Sequence, residues 1–301
     1  MDALSDVLVV DLTRLLPGAF ASRELLRLGA RVVRVEPPEG DALRHSHSGW
    51  HDELNGGKES VTCDLREEPR LALELCRTAD VVLEGFRPGV AARLRLAPGE
   101  RTVWVAITGF GSGGRHERRA GHDLNYLGWA GVLGKTVPPV TIADYAGAYA
   151  AVREVLAGLL ERERTGHGGR REVSMTHESH ALAVPGVLRG DAACYRLYRT
   201  ADDRLLTVAA LEPKFWRRFC ELVGLPELEG RAYEPRLPEL EERLAERPLA
   251  AWVELFEDED VCAGPVRTHD EAAPEFAAPP AGAAPLLGEH TEAWQRELGI
   301  G

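Results

Sequence analysis

Short apolar, β-branched runs alternate with segments of helical periodicity through the first half of the chain. Five runs have the length and composition of buried parallel strands, at residues 7–12, 31–36, 81–84, 103–108 and 171–174. Between them the apolar spacing indicates helices at residues 17–28, 67–78 and 143–164. The first helix opens with a proline and ends before a glycine, as helix termini prefer. This alternation predicts a doubly wound α/β domain with a mostly parallel sheet.

The pattern changes after Pro185 and Gly186. Two short strands, 195–199 and 205–210, flank an Ala-Asp-Asp turn and predict an antiparallel hairpin. Helices are predicted at residues 214–223, 237–256 and 291–298. An Ala- and Pro-rich stretch at 272–285 is typical of an extended linker. We therefore expect a large domain over residues 1–187, a smaller α+β domain over 188–280, and a C-terminal segment over 281–301.

Composition and charge exclude several kinds of function. The chain has 301 residues, enough for two compact domains, and a net charge of -12, which argues against general nucleic-acid binding. Its five cysteines are scattered without the spacing of a zinc site or a disulfide framework. We find neither a signal peptide nor an apolar stretch near the roughly 20 residues of a membrane helix, so we expect a cytoplasmic protein without membrane contact. The spacing of His45, His47 and His51 matches no closed metal site, and we expect no metal.

Ten short motifs occur along the chain in a fixed order. They are DLTR at 11–14 with PG at 17–18, LGARVVRVE at 28–36, GKESV at 57–61 with DL at 64–65, FRPGV at 86–90, TGFG at 108–111, AGHDLNY at 120–126, ADYAG at 143–147, RTG at 164–166, LEP at 211–213 and GEHTE at 288–292. Together they resemble the class III CoA-transferase (CaiB/BaiF) superfamily, and the GHDLNY and LEP motifs resemble its α-methylacyl-CoA racemase branch.

The resemblance implies an architecture as well as a chemistry. A large Rossmann-like domain that binds coenzyme A is joined to a small domain, and the C-terminal segment returns to the large domain. Two such subunits interlock as a homodimer. Each active site then lies between the large domain of one subunit and the small domain of the other, which would bring a residue as late as Glu212 to one as early as His122.

Three residues are implied as catalytic by the resemblance. Inversion at the carbon beside a thioester requires a base on one face and an acid on the other. His122 would supply one face and Asp144 the other, while Glu212 would hydrogen-bond the imidazole. Each has a simpler interpretation: His122 as a polar loop residue, Asp144 as a helix N-cap, and Glu212 as a carboxylate near a helix start. Backbone N–H groups at the helix start near Asp144 could also face the thioester oxygen.

The matching segments also contain candidates for binding the substrate acyl-CoA, whose coenzyme A moiety is the only cofactor we expect. Arg34 ends a strand, Lys58 lies in the GKESV motif, and Arg87 precedes a Pro-Gly turn that could place its guanidinium against a phosphate. Each could equally be an ordinary surface charge. Tyr126 could line the channel for the pantetheine arm or be a buried structural tyrosine.

Departures from the family pattern leave three functions open. Only 22 positions separate His122 from Asp144, which is short for the family, and Glu59 stands in a motif that is usually more basic. The leading hypothesis is a racemase or epimerase of 2-methyl-branched acyl-CoA that works through an enolate. The alternatives are a CoA-transferase with Asp144 as its nucleophile, and a non-catalytic relative that binds acyl-CoA.

Overall fold

The computed structural model describes residues 2–183, 190–277 and 282–300. The chain divides into two compact units, one formed by residues 1–187 with 279–301 and the other by 188–278. The domain boundaries that the sequence suggested, after residues 187 and 280, lie outside the described residues. None of the helices in the described ranges is long and apolar enough to cross a membrane.

The larger unit contains a six-stranded sheet in which every neighbouring pair is parallel. Its strands are β1 Leu8–Asp11, β2 Arg31–Glu36, β3 Glu59–Thr62, β4 Val81–Glu84, β5 Val103–Thr108 and β6 Gly169–Ser174. They lie in the order β3-β2-β1-β4-β5-β6. The direction of winding therefore reverses between β1 and β4, and open α/β sheets of this order bind ligands at the carboxyl ends of those two strands.

Within residues 2–183, the larger unit contains eight helices. They are α1 Leu16–Arg27, α2 Ala42–Ser46, α3 Ser48–Asn55, α4 Arg70–Thr78, α5 Val90–Arg93, α6 Asp123–Ala130, α7 Ile142–Thr165 and α8 Met175–Ala181. Strand residues alternate between the two faces of the sheet. Val9 and Val105 therefore pack into one core with α1 and α7, and Val10 and Trp104 pack into a second core with α4 on the opposite face. Both faces are covered, which confirms the doubly wound α/β class.

The smaller unit is a three-stranded antiparallel sheet with helices. Its strands are β7 Tyr195–Arg199, β8 Leu205–Ala209 and β9 Ala263–Pro265, in that order. Its α-helices are α9 Pro213–Val223, α10 Pro238–Leu244, α11 Leu249–Phe256 and α12 His269–Phe276, and a 3₁₀ helix spans Pro226–Arg231. Trp216, Phe219 and Trp252 lie in its core. The predicted hairpin is confirmed.

Two predictions for this unit were wrong. The single helix expected over 237–256 is broken between α10 and α11, where Pro248 has no N–H group to continue the hydrogen-bond ladder. The linker expected over 272–285 instead begins inside α12. Thr268 and Glu271 form a reciprocal capping box that starts this helix, which continues through Pro274. Residues 278–281 of that predicted linker lie outside the described residues.

The chain then returns to the larger unit. The last helix, α13 Thr291–Glu297, places Trp294 in the core beside β3. The Trp294 indole N–H donates to Glu59 at 2.5 Å, and the Thr62 N–H donates to the Thr291 hydroxyl at 3.0 Å. The C-terminal segment therefore covers one edge of the parallel sheet.

Candidate active site

A cavity of about 530 Å³ lies where the winding of the sheet reverses. Its walls are the turns that follow β1, β4 and β5, closed by parts of α6 and α7. The residues of these walls used below are Thr13, Arg14, Arg87, Gly109, His122, Tyr126 and Asp144. We call it the switch-point cavity. The fold thus brings four predicted site residues, His122, Asp144, Arg87 and Tyr126, to the wall of one cavity.

The turn after β1 is held by a buried carboxylate. Asp11 Oδ1 accepts hydrogen bonds from the Thr13 N–H at 2.9 Å and the Thr13 hydroxyl at 2.5 Å, and Oδ2 accepts from the Ser22 hydroxyl at 2.6 Å. A Cβ at Gly18 would lie 2.0 Å from Thr13 Oγ1, so only glycine lets α1 begin this close to the turn. Leu15 takes a φ of 65°, a backbone region that favours glycine. The hydrogen bonds to Asp11 and the close contact at Gly18 therefore fix the conformation of this turn.

His122 immediately precedes α6, where it forms a capping box with Asn125. Its backbone N–H donates to Asn125 Oδ1 at 3.1 Å, which fixes the backbone at the start of the helix. The His122 side chain is exposed at the wall of the switch-point cavity. Because an imidazole has two ring nitrogens, at least one of them is open to a ligand in the cavity.

Asp144 is the third residue of α7. The sequence interpretation of Asp144 as the N-cap is wrong, because Thr141 occupies that position. The helix is capped from outside: Asp123 Oδ1 accepts from the N–H groups of Ala143, at 2.6 Å, and Asp144, at 3.1 Å. These two N–H groups are therefore occupied, which also corrects the expectation that they face a thioester oxygen.

The Asp144 carboxylate itself is half-buried and accepts no hydrogen bond within the described ranges. Burial, together with the negative charge of Asp123, raises the pKa of Asp144 to about 7. A carboxyl group with this pKa exchanges a proton readily near neutral pH, which is the property required of a general acid or base.

Tyr126, on α6, also lines the switch-point cavity. Its side chain is buried against Gly109, where a Cβ would lie 2.6 Å from the ring, and its hydroxyl donates to the carbonyl oxygen of Gly121. Burial raises the pKa of Tyr126, and the nearby Asp144 adds to this effect. Tyr126 is therefore a buried, neutral residue that also forms part of the cavity wall.

Arg34 and Lys58 do not line the switch-point cavity, and their binding of the cofactor stays a prediction. Arg34 is 1% exposed and donates to Asn55 Oδ1 at 2.8 Å and Asp41 Oδ2 at 2.5 Å. Lys58 is 3% exposed, and its Nζ donates to the Ala19 carbonyl, the Ser22 hydroxyl and Asn55 Oδ1 at 2.8 to 3.0 Å. Both cations lie beneath the turn after β1, with Lys58 Nζ 3.9 Å from Asp11. Lys58 is thus hydrogen-bonded to α1 behind this turn, and Arg34 joins Asp41 to Asn55.

A second cavity, of about 770 Å³, lies on the other side of the turns after β1 and β4. Four exposed arginines line it, Arg14, Arg66, Arg87 and Arg93, and we call it the arginine cavity. Within the described residues none of these guanidinium groups is bonded to a carboxylate. Arg14 and Arg87 line both cavities and so join them. Sequence analysis identified only Arg87, although Arg14 lies in the turn after a predicted strand and a position of that kind could have indicated it.

Glu212 belongs to the smaller unit. It is exposed and directly precedes α9, whose first residue is Pro213. The structure describes it only within that unit, so its hydrogen bond to His122 stays a prediction. Among the described residues no group of three or more His, Cys, Asp and Glu side chains is placed to hold a metal ion.

The sequence model of the CoA-transferase family III matches residues 4–281. The chain belongs to this family. It is 33% identical to the human α-methylacyl-CoA racemase over 89% of this chain and 79% of that enzyme. It is 29% identical to the acetyl-CoA:oxalate CoA-transferase of Acetobacter aceti, over 89% of this chain and 81% of the relative. Relatives therefore include both racemases and transferases.

Solved structures show the same fold. A crystal structure of a hypothetical protein from Mycobacterium tuberculosis superposes with a TM-score of 0.81 at 29% identity, covering 98% of this chain and 99% of that one. A CaiB/BaiF family protein from Brucella suis gives a TM-score of 0.81 at 23% identity, over 97% of this chain and 98% of the other. The mixed α/β fold with its six-stranded parallel sheet is thus that of the family.

Proposed function

We propose that this protein is a racemase or epimerase of 2-methyl-branched acyl-CoA thioesters. The observation that supports this function most strongly is that His122 and Asp144 lie on the wall of one cavity, at the point where a doubly wound sheet binds its ligand. The pKa of Asp144, about 7, suits a group that gives and takes a proton at neutral pH.

The reaction requires two proton transfers at one carbon. One of the two groups removes the α-proton, and the electrons of the broken C–H bond move into the thioester to form an enolate. The other group then donates its proton to the opposite face of the carbon, and the enolate returns to a thioester. In the reverse direction the two groups exchange roles, so that neither enantiomer accumulates alone.

The two cavities divide the substrate between them. The arginine cavity would bind the phosphate groups of coenzyme A, because one guanidinium group can donate two parallel hydrogen bonds to a phosphate. The thioester and the acyl chain would occupy the switch-point cavity, whose apolar wall includes Leu16, Phe110 and Met175. Arg14 and Arg87, which line both cavities, would lie beside the pantetheine arm that joins the phosphates to the thioester. No cofactor or metal beyond the coenzyme A of the substrate is needed.

Hydrogen exchange in deuterated water tests the reaction. A racemase incorporates deuterium at the α-carbon of 2-methyl-branched acyl-CoA without any acceptor acid, and both His122→Ala and Asp144→Asn should lower the rate by at least about 100-fold. Exchange that survives both substitutions would refute the proposal. Tight binding of acyl-CoA without any exchange would instead identify a non-catalytic relative.

A CoA-transferase is the second candidate, supported by relatives of that activity at 29% identity and above. In this reaction the Asp144 carboxylate attacks the thioester carbonyl and releases coenzyme A as its thiolate, leaving a mixed anhydride. The thiolate then attacks the aspartyl carbonyl, which releases the acid and leaves an enzyme thioester. Hydroxylamine would convert Asp144 to a hydroxamate only in this case, and transfer would require an acceptor acid.

Glu212 completes the proposal as the partner of His122 across an interlocked homodimer. Co-expression of His122→Ala and Glu212→Gln chains with different tags tests this arrangement. If each site combines the large domain of one subunit with the small domain of the other, the mixed dimer contains one site with both residues intact. It should then recover about half of the wild-type exchange rate per dimer. A mixed dimer as inactive as its parents, or a monomer in solution, would contradict the arrangement.

A further inference from the structure

The carboxylate of Asp123 connects the two proton-transfer groups of the proposed reaction. Asp123 directly follows His122 and is the first residue of α6. Its Oδ1 atom accepts hydrogen bonds from the backbone of α7 at Ala143, 2.6 Å away, and at Asp144, 3.1 Å away. Asp123 is thus the neighbour of His122 in the chain, and its side chain is hydrogen-bonded to the backbone of Asp144.

The start of α7 depends on this contact. The first N–H groups of a helix have no partner within the helix, and Thr141 at the N-cap supplies no side-chain hydrogen bond. Asp123 provides the missing acceptor from a different helix, and its negative charge also suits the positive end of the helix dipole. Removing this side chain would leave the backbone under Asp144 without its cap.

We propose that Asp123 is a positioning residue that fixes the separation of His122 and Asp144 by capping α7 from α6. The proposal rests on the proposed racemase reaction and adds a residue that neither receives nor donates the substrate proton. Precise placement matters in such a site, since a displacement of about 1 Å can lower a rate by about 100-fold.

The charge of Asp123 has a second consequence for Asp144. Of the charged groups around Asp144, Asp123 is the one that raises its pKa, in addition to burial. The other titratable groups nearby are Tyr126 on α6 and Tyr145 on α7. The wall of the same cavity also carries charged or titratable side chains at His122, Arg14, Arg87, Glu117 and Arg119. Asp123 therefore favours the protonated form of Asp144, so that one of the two groups holds a proton while the other accepts one.

Two substitutions separate these effects. In Asp123→Asn the side-chain carbonyl can still accept from the two N–H groups, but the charge is lost. In Asp123→Ala both are lost. Asp258→Asn, an exposed residue of the smaller unit, is the matched control for loss of a carboxylate.

The titration of Asp144 is measured by ¹³C-carboxyl NMR on the full-length protein labelled at aspartate, with the signal assigned by its absence in Asp144→Asn. We expect Asp123→Asn to lower the midpoint by about one unit and Asp258→Asn to leave it unchanged. An unchanged midpoint in Asp123→Asn would overturn the electrostatic part of the proposal. This readout does not depend on activity, so a shifted midpoint in a protein that shows no exchange would support the role of Asp123 while refuting the racemase function.

The exchange rate in deuterated water tests the positioning. Asp123→Ala should lower kcat by about 100-fold with little change in KM, and Asp123→Asn should restore much of that loss while its pH profile moves to lower pH. Equal rates for Asp123→Ala and the wild type would overturn the proposal. An increase in KM with kcat unchanged would also overturn it, because that would indicate a role in binding.

Discussion

Asp144→Asn should make the protein more stable at neutral pH although it removes one of the two groups proposed to transfer the proton. The native structure raises the pKa of Asp144 from 3.8 to about 7, so between these values the folded protein binds more protons at this position than the unfolded chain. Stability then falls as pH rises through this interval, because ionisation is opposed only in the folded state. Asparagine has nearly the same shape and does not ionise.

The magnitude follows from the shift in pKa. Each unit corresponds to about 1.4 kcal/mol, so the shift of about three units sets an upper bound of roughly 4 kcal/mol above pH 7. Asp144 is only half-buried, and solvent screens its charge, which reduces the expected gain to about 2 kcal/mol. At about pH 2 the carboxyl group is protonated in both states, and the gain should vanish.

Urea denaturation at pH 4.5, 6 and 8 measures this gain directly. The difference in free energy of unfolding between Asp144→Asn and the wild type should grow with pH, while Asp258→Asn, chosen for its exposed position, should show no such trend. A difference that stays constant with pH, or a variant that is less stable at pH 8 than the wild type, would show that Asp144 ionises as freely in the native protein as in the unfolded chain.

Three further substitutions test the turns around the site by urea denaturation. Lys58→Met should lower the free energy of unfolding by about 3 kcal/mol because Asp11 loses one of the two buried cations beside it and three oxygen atoms lose their donor; weaker binding of coenzyme A with unchanged stability would instead indicate that Lys58 is a ligand residue. Gly109→Ala should cost about 2 kcal/mol because its Cβ would press on the Tyr126 ring, and an unaffected protein would disprove that contact. Leu15→Gly should be neutral or stabilising by up to about 1 kcal/mol, since it relieves a left-handed backbone, and a clear loss of stability would show that no strain is present there.

The fold could be predicted from sequence where buried strands have a uniform composition. The runs at β1, β2, β4 and β5 carry apolar side chains on both faces, although β2 also contains Arg31, Arg34 and Glu36, and their helices alternate with them as a doubly wound sheet requires. Strand β3 was missed because Glu59-Ser60-Val61-Thr62 is short and half polar. It lies at the edge of the sheet, where partners outside the strand satisfy its polar atoms: Ser60 donates to Glu36, and Glu59 accepts from Trp294. Those partners are distant in sequence.

The site could be predicted only in part, again because some bonding partners are distant in sequence. His122, Tyr126 and Asp144 lie in motifs whose order along the chain identified them, and the fold brings them to one cavity. Arg34 and Lys58 lie in motifs that resemble the family equally well. Their side chains are nevertheless hydrogen-bonded to buried partners that no local sequence pattern reveals.

Charged residues at the turns of a parallel sheet can be ligands or supports, and the difference depends on burial. Arg14, Arg66 and Arg93 have no distinctive local sequence, but they converge on the arginine cavity because the turns after parallel strands meet at one edge of the sheet. The cap that Asp123 places on α7 is equally invisible in sequence, since it joins two helices that are 20 residues apart at the bonded positions Asp123 and Ala143.

A crystal structure with a non-reactive 2-methylacyl-CoA analogue tests the central claim most directly. The account predicts that the α-carbon lies in the switch-point cavity between the His122 imidazole and the Asp144 carboxylate, one on each face and both within about 3.5 Å, with the phosphates among the arginines of the second cavity. An α-carbon that approaches only one of these two groups, or an analogue bound elsewhere, would contradict it.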